Sequence, residues 1–95
     1  MTIETLKHNL DLPNAFADLG PLIAFLTSSR DKAVEIDCST VTVMPSRGLQ
    51  LILSAEQQWR AESLGFSVTN ITEGCRKSLI QLGLEPNRFE DEETA

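Results

Sequence analysis

The side chains best suited to chemistry in this sequence are Ser46, the single histidine His8, the cysteines Cys38 and Cys75, and the near neighbours Glu35 and Asp37. Ser46 stands out because of where it lies. In "VTVMPSRGLQLIL", residues 41–53, a β-branched run breaks at Pro45-Ser46 and resumes with helical spacing. A serine at such a junction would serve as a nucleophile, as a carrier of phosphate, or as a helix cap. Nucleophilic catalysis needs a base within hydrogen-bond reach and a third group to orient that base. His8 sits in a weakly patterned N-terminal stretch, and no Gly-x-Ser-x-Gly turn surrounds Ser46, so hydrolytic chemistry is not expected. As a cap, the hydroxyl would accept from a free backbone N–H, worth about 1 kcal/mol. The same helix start, with its positive dipole and Arg47 alongside, would also favour a phosphate on Ser46.

The remaining groups point away from catalysis. Cys38 and Cys75 fall on apolar positions far apart in sequence and outside any Cys-x-x-Cys spacing. With one histidine they make no recognisable metal set and read as buried, reduced thiols. Glu35 and Asp37 alternate with Val34, Ile36 and Cys38, which turns both carboxylates to the polar side of a strand without support for acid–base work. No cofactor is expected.

Composition bounds the rest. The chain has 95 residues, 41% hydrophobic and 23% charged, with a formal charge of -6. One domain over residues 1–95 is expected, because a second core in so short a chain would bury too little apolar area. The eight basic residues are dispersed rather than gathered into a stripe, which argues against nucleic acid as a partner. No apolar run approaches the ~20 residues that cross a bilayer, and "MTIETLKHNL" lacks the parts of a signal peptide. A cytoplasmic location without membrane insertion is the expectation.

Periodicity then gives the elements that must position Ser46. "TIETLKHNLDL" alternates weakly, as a short edge strand or hairpin. "AFADLGPLIAFLTSSR" spaces Phe16, Leu19, Ile23 and Leu26 along one helical side, with a bend or a fresh start at Gly20-Pro21. "KAVEIDCSTVTVM" gives the strongest strand signal. From Ser46 a helix buries Leu49, Ile52, Leu53 and Trp59 and leaves Arg47, Gln50, Ser54, Gln57 and Gln58 outside, ending at Leu64-Gly65. "FSVTNI" is a further strand. Thr72 opens a last helix with Cys75, Leu79, Ile80 and Leu82 on its apolar face and Gly83 at its end. A turn around Phe89 and an acidic tail over about 90–95 close the chain. Strands alternating with helices imply an α/β layer with a partly parallel sheet.

Three blocks in this order resemble a STAS domain, the fold of bacterial anti-sigma factor antagonists: "VEIDCSTVTVMPSRGLQLILSA", "AESLGFSVTNIT" and "SLIQLGLEPNRF". The resemblance implies a small mixed sheet of about four strands covered by three to four helices. Pro45 stands where the family usually has aspartate, Ser46 where many antagonists have a phosphorylatable serine, and Arg47 at a second serine; Gly48 and Leu49 match. "GLQLILSAEQQW" is also similar to stand-alone STAS proteins of chemotaxis operons. In function, the resemblance implies a non-catalytic signalling adaptor that binds a chemotaxis-type histidine kinase or an anti-sigma kinase, with Ser46 as phosphoacceptor. An alternative is a subunit that binds the ATPase of a phospholipid ABC transporter. The neutral face of the second helix suits such a contact, since amides desolvate at less cost than charges. The expected contact residues are Pro45, Ser46, Arg47 and Gly48 at the corner, with Gln50, Ser54 and Gln57 beyond it.

Overall fold

A computed structural model of the protein describes residues 5–14, 16–85 and 88–89. Ile3 and the acidic stretch from Glu90, both part of the sequence expectations, lie outside them. The element order is β1 (Thr5–Leu12), α1 (Gly20–Ser28), β2 (Ala33–Val41), α2 (Ser46–Ala61), β3 (Phe66–Thr69) and α3 (Glu73–Gln81). The strands form one sheet in the order β1-β2-β3. Both pairings are parallel, Thr5 opposite Ala33 and Val34 opposite Phe66.

The sheet is therefore wholly parallel and three-stranded among the described residues, where a mixed sheet of about four strands was expected. Each strand is followed by a helix that returns the chain to the same end, so no hairpin turn is available to reverse a strand. The N-terminal segment is an edge strand, as one of the two sequence alternatives had it. Crossovers between parallel strands are right-handed as a rule, and two of them in one direction put α1 and α2 on the same face, where both contribute to one core.

Strand alternation agrees. Leu10, Leu12, Val34, Ile36, Cys38, Val41, Phe66 and Val68 join residues of all three helices in one core. Lys7, Asn9, Ser67 and Thr69 belong to the opposite, helix-free side. Asp37 lies on that side too, yet it is buried rather than solvated. It accepts from the Ser39 N–H at 2.8 Å, from Asn70 Nδ2 at 3.1 Å, and from Lys7 Nζ at 3.1 Å. The Ser39 bonds foremost, with Lys7 and Asn70, hold its carboxyl well below the usual carboxylate range, against the opposing effect of burial.

The fresh start expected at Gly20-Pro21 is the one the structure takes, whereas the buried side of each helix differs in part from the periodic reading. Helix α1 starts afresh at Gly20, with Pro21 in its first turn, while residues 16–19 stay non-helical and Asp18 Oδ1 accepts from the Gly20 N–H at 2.8 Å. Its buried side is consequently Leu22 and Leu26; Phe16 is 95% exposed and Ile23 42%. In α3 the buried side chains are Cys75, Ser78 and Leu79, and Ile80 and Leu82 are exposed. In α2, Leu49, Ile52 and Trp59 are buried as expected, whereas Leu53 is only half-buried.

Helix α2 ends with Ser63, not Gly65, in the left-handed conformation, at φ 60°. The Leu64 N–H donates to the Trp59 carbonyl at 2.9 Å and the Ser63 N–H to the Arg60 carbonyl at 3.0 Å, the paired bonds of a Schellman motif. Helix α3 ends the same way, Leu84 to Leu79 and Gly83 to Ile80, but with glycine at φ 94°. The serine carries a Cβ where glycine has none. Ser63→Gly is therefore expected to raise unfolding stability by about 1 kcal/mol, read by urea denaturation.

The single tryptophan, Trp59, is 2% exposed and donates from Nε1 to the Lys32 carbonyl at 2.7 Å. That bond ties α2 to the turn before β2 and satisfies the indole in the core. Glu56, on the same helix, is buried at 4% and pairs with Arg88 at 2.5 Å and Arg60 at 3.4 Å. Beside it Phe89, 2% exposed, plugs the core. Together they bind the last described residues to α2.

Acid should loosen this fold in two stages. His8 stacks on Phe25 with ring centroids 5.0 Å apart, and burial lowers its pKa from 6.5. Below about pH 6.5 the unfolded chain takes up the histidine proton more readily than the folded one, so stability falls with pH. Asp37 adds a second loss below about pH 4, where the unfolded carboxylate protonates first. Thermal melts from pH 8 to pH 3 are expected to show both stages, the first missing in His8→Gln and the second missing in Asp37→Asn.

Candidate docking site

The corner before α2 is set by Pro45, whose backbone is extended at φ -71° and ψ 155° and forms the N-cap of the helix. Ser46 is already the first helical residue, and no side chain caps the helix. The capping role expected of Ser46 is thus not realised. Its hydroxyl comes one residue too late to reach back onto the N–H groups that a cap satisfies. Ser46 and Arg47 are exposed, and Pro45 is partly so.

Gly48 is buried, unlike its neighbours. A Cβ there would lie 3.2 Å from Met44 Sδ and 3.4 Å from Leu19 Cδ2, so the glycine lets the first turn of α2 settle on the core. It shapes the corner instead of presenting a surface. The chain leading into the corner is fixed from α3: the Met44 N–H donates to Ser78 Oγ at 3.1 Å, and that hydroxyl donates to the Gly74 carbonyl at 3.1 Å. Ser78, only 8% exposed, is a positioning residue for which the sequence offered no signal beyond its helical phase.

Beyond the corner, Arg47, Gln50, Ser54 and Gln57 follow at spacings of three and four and are all exposed, forming one row along α2. No acid accompanies them, because Glu56 is turned inward to Arg88 and Arg60. Gln58, also exposed, donates from Nε2 to Glu62 at 2.5 Å. The row presents amides and a hydroxyl with one guanidinium at its start, a surface that loses little hydration energy when covered. The sequence reading of these exposures agrees with the structure at each of the four positions. It missed Phe16 and Ile23, which flank the corner as exposed apolar groups, because it placed them on a buried stripe.

The reactive groups do not assemble a catalytic centre among the described residues. His8 is engaged with Phe25, and no group of three His, Cys, Asp or Glu is placed to hold a metal ion. Cys38 and Cys75 are 0% and 1% exposed and unbridged. They are neighbours across β2 and α3, and the hydrogen bond to Cys75, with burial, pushes the Cys38 thiol up. Both are shut off from reagents in solution by burial. No described helix is long and apolar enough to cross a membrane.

Comparison with known proteins places this geometry. One family, described as "Mlab, STAS domain", matches residues 9–86. No curated protein and no solved structure matches the chain. The matched stretch holds all three helices, the corner at Pro45 and Ser46, and the sheet from the middle of β1 onward. The chain therefore belongs to the STAS domain family.

Proposed function

We propose that this STAS domain is a non-catalytic regulatory adaptor that docks onto a signalling kinase, either a chemotaxis-type histidine kinase or an anti-sigma kinase. One observation carries the reading: the exposed row from Arg47 through Gln50 and Ser54 to Gln57 is free of acids in a chain of net charge -6. An ordinary solvated helix face favours ion pairs, which are costly to strip of water, whereas neutral amides hydrogen-bond equally well to a partner. Affinity purification from the native host, followed by mass spectrometry, is expected to recover a kinase. Recovery of a phospholipid transporter ATPase instead would overturn that assignment.

Ser46 is the switch in this reading. Its hydroxyl has no partner among the described residues, and the backbone N–H groups of the first turn are uncapped. A phosphoryl group there gains from the helix dipole and from Arg47 next to it, and adds roughly two negative charges where the partner meets the corner. Incubation with the copurified kinase and ATP should add one phosphate by intact mass, lost in Ser46→Ala. An unchanged mass would leave docking without the switch.

A further inference from the structure

The seam between α1 and α2 carries two clefts. Where the two helices begin, Ile23 and Arg47 line a cleft of 590 Å³ together with Phe16 and Pro45. One turn further on, Thr27 and Ser54 border a second cleft of 200 Å³. Phe16 and Ile23 are exposed there and unused by the core.

Charge along the seam is lopsided. Asp18 is the one acid that lines either cleft, and its carboxylate already accepts from the Gly20 N–H. The cations are Arg47, without an ion pair among the described residues, and Arg30 at the far end, 3.7 Å from Glu62 on an exposed surface. The seam thus has apolar walls near one end and a guanidinium at each end, on a protein that is acidic overall.

We propose that the α1–α2 seam receives an amphipathic helix of the docking partner, its apolar side seated on Phe16 and Ile23 and its acidic side chains paired with Arg47 and Arg30. This rests on the adaptor reading and specifies what the partner must present. A helix suits the site because a third helix packs into the groove between two others through side chains at i, i+3, i+4 and i+7. Helix α1 has nine residues, about 14 Å at the usual rise, so the bound segment spans two to three turns. The positive ends of the seam steer and orient an acidic segment and repel a basic one.

Photo-crosslinking in the native host tests this, with p-benzoylphenylalanine placed at Thr27 in the seam or, separately, at Gln57 on the outer row. The expected adduct at position 27, mapped by mass spectrometry, is a helical segment with apolar residues at that spacing and flanking acids. Arg47→Glu should lower its yield at least tenfold and Arg47→Lys should largely retain it, with unchanged melting of both variants. Adducts at position 57 alone, a basic or unpatterned segment at position 27, or indifference to Arg47→Glu would overturn the seam proposal and leave docking intact. No adduct at either position would overturn both.

Discussion

Gly74→Ala is expected to lower unfolding stability by about 2 to 3 kcal/mol, the upper part of the range for forcing extra volume into a packed site. A Cβ at this position would run into the backbone carbonyl oxygen of Thr42, which has no rotamer by which to retreat. The start of α3 is held against the end of β2 at several points. Thr72 Oγ1 donates to the Val41 carbonyl and accepts from the Cys75 N–H at 3.1 Å, and Ser78 bridges Met44 and Gly74. Moving α3 away to relieve the contact would break these bonds. Alanine's higher helix propensity offsets less than about 1 kcal/mol, so the contact decides the sign. Because Met44 leads directly into Pro45, the same substitution should also loosen the corner, read as faster amide exchange at residues 46–48. Urea denaturation followed by Trp59 fluorescence checks the first effect. A midpoint equal to or above that of the parent would contradict the packing described here.

The parts of this structure that were legible in the sequence are those in which a period alone decides burial. In β2 the alternation of Val34, Ile36 and Cys38, and in α2 a helical period sustained over its 16 residues, mark Val34, Ile36, Ile52 and Trp59 for the core, and all are buried. Short-range rules failed where tertiary contacts choose among local options. Ser46 had the right residue type for a cap but the wrong position, because the extended conformation ends at Pro45. Gly65 had the right type for a left-handed helix end, yet the two Schellman bonds fall one and two residues earlier and place Ser63 there. Phe16 was assigned to a helix that starts only at Gly20, and the misassigned residues are among those that open the seam. Glu56 and Asp37 were illegible as buried groups, since their partners Arg88, Lys7 and Asn70 lie some thirty residues away. The row Arg47, Gln50, Ser54 and Gln57 was readable because an exposed side of an amphipathic helix needs no tertiary information.

That row is where the largest functional effect is expected. Replacing Gln50 and Gln57 together by glutamate adds two strongly hydrated negative charges at the centre of the proposed contact, facing a partner segment that is itself acidic, without touching the core. Each amide is exposed and forms no side-chain hydrogen bond within the described residues, so stability should shift by less than about 0.5 kcal/mol. A partner that buries the row would instead have to desolvate both charges, and its affinity should fall at least about a hundredfold, equivalent to roughly 2.7 kcal/mol.

The docking surface is best tested by titration calorimetry of the copurified partner against the parent protein and the Gln50→Glu/Gln57→Glu variant, after melting curves show both to be equally folded. One saturable binding event is expected for the parent, and a loss of at least a hundredfold for the doubly acidic variant. Equal affinity of the two proteins for that partner would rule out docking through this row.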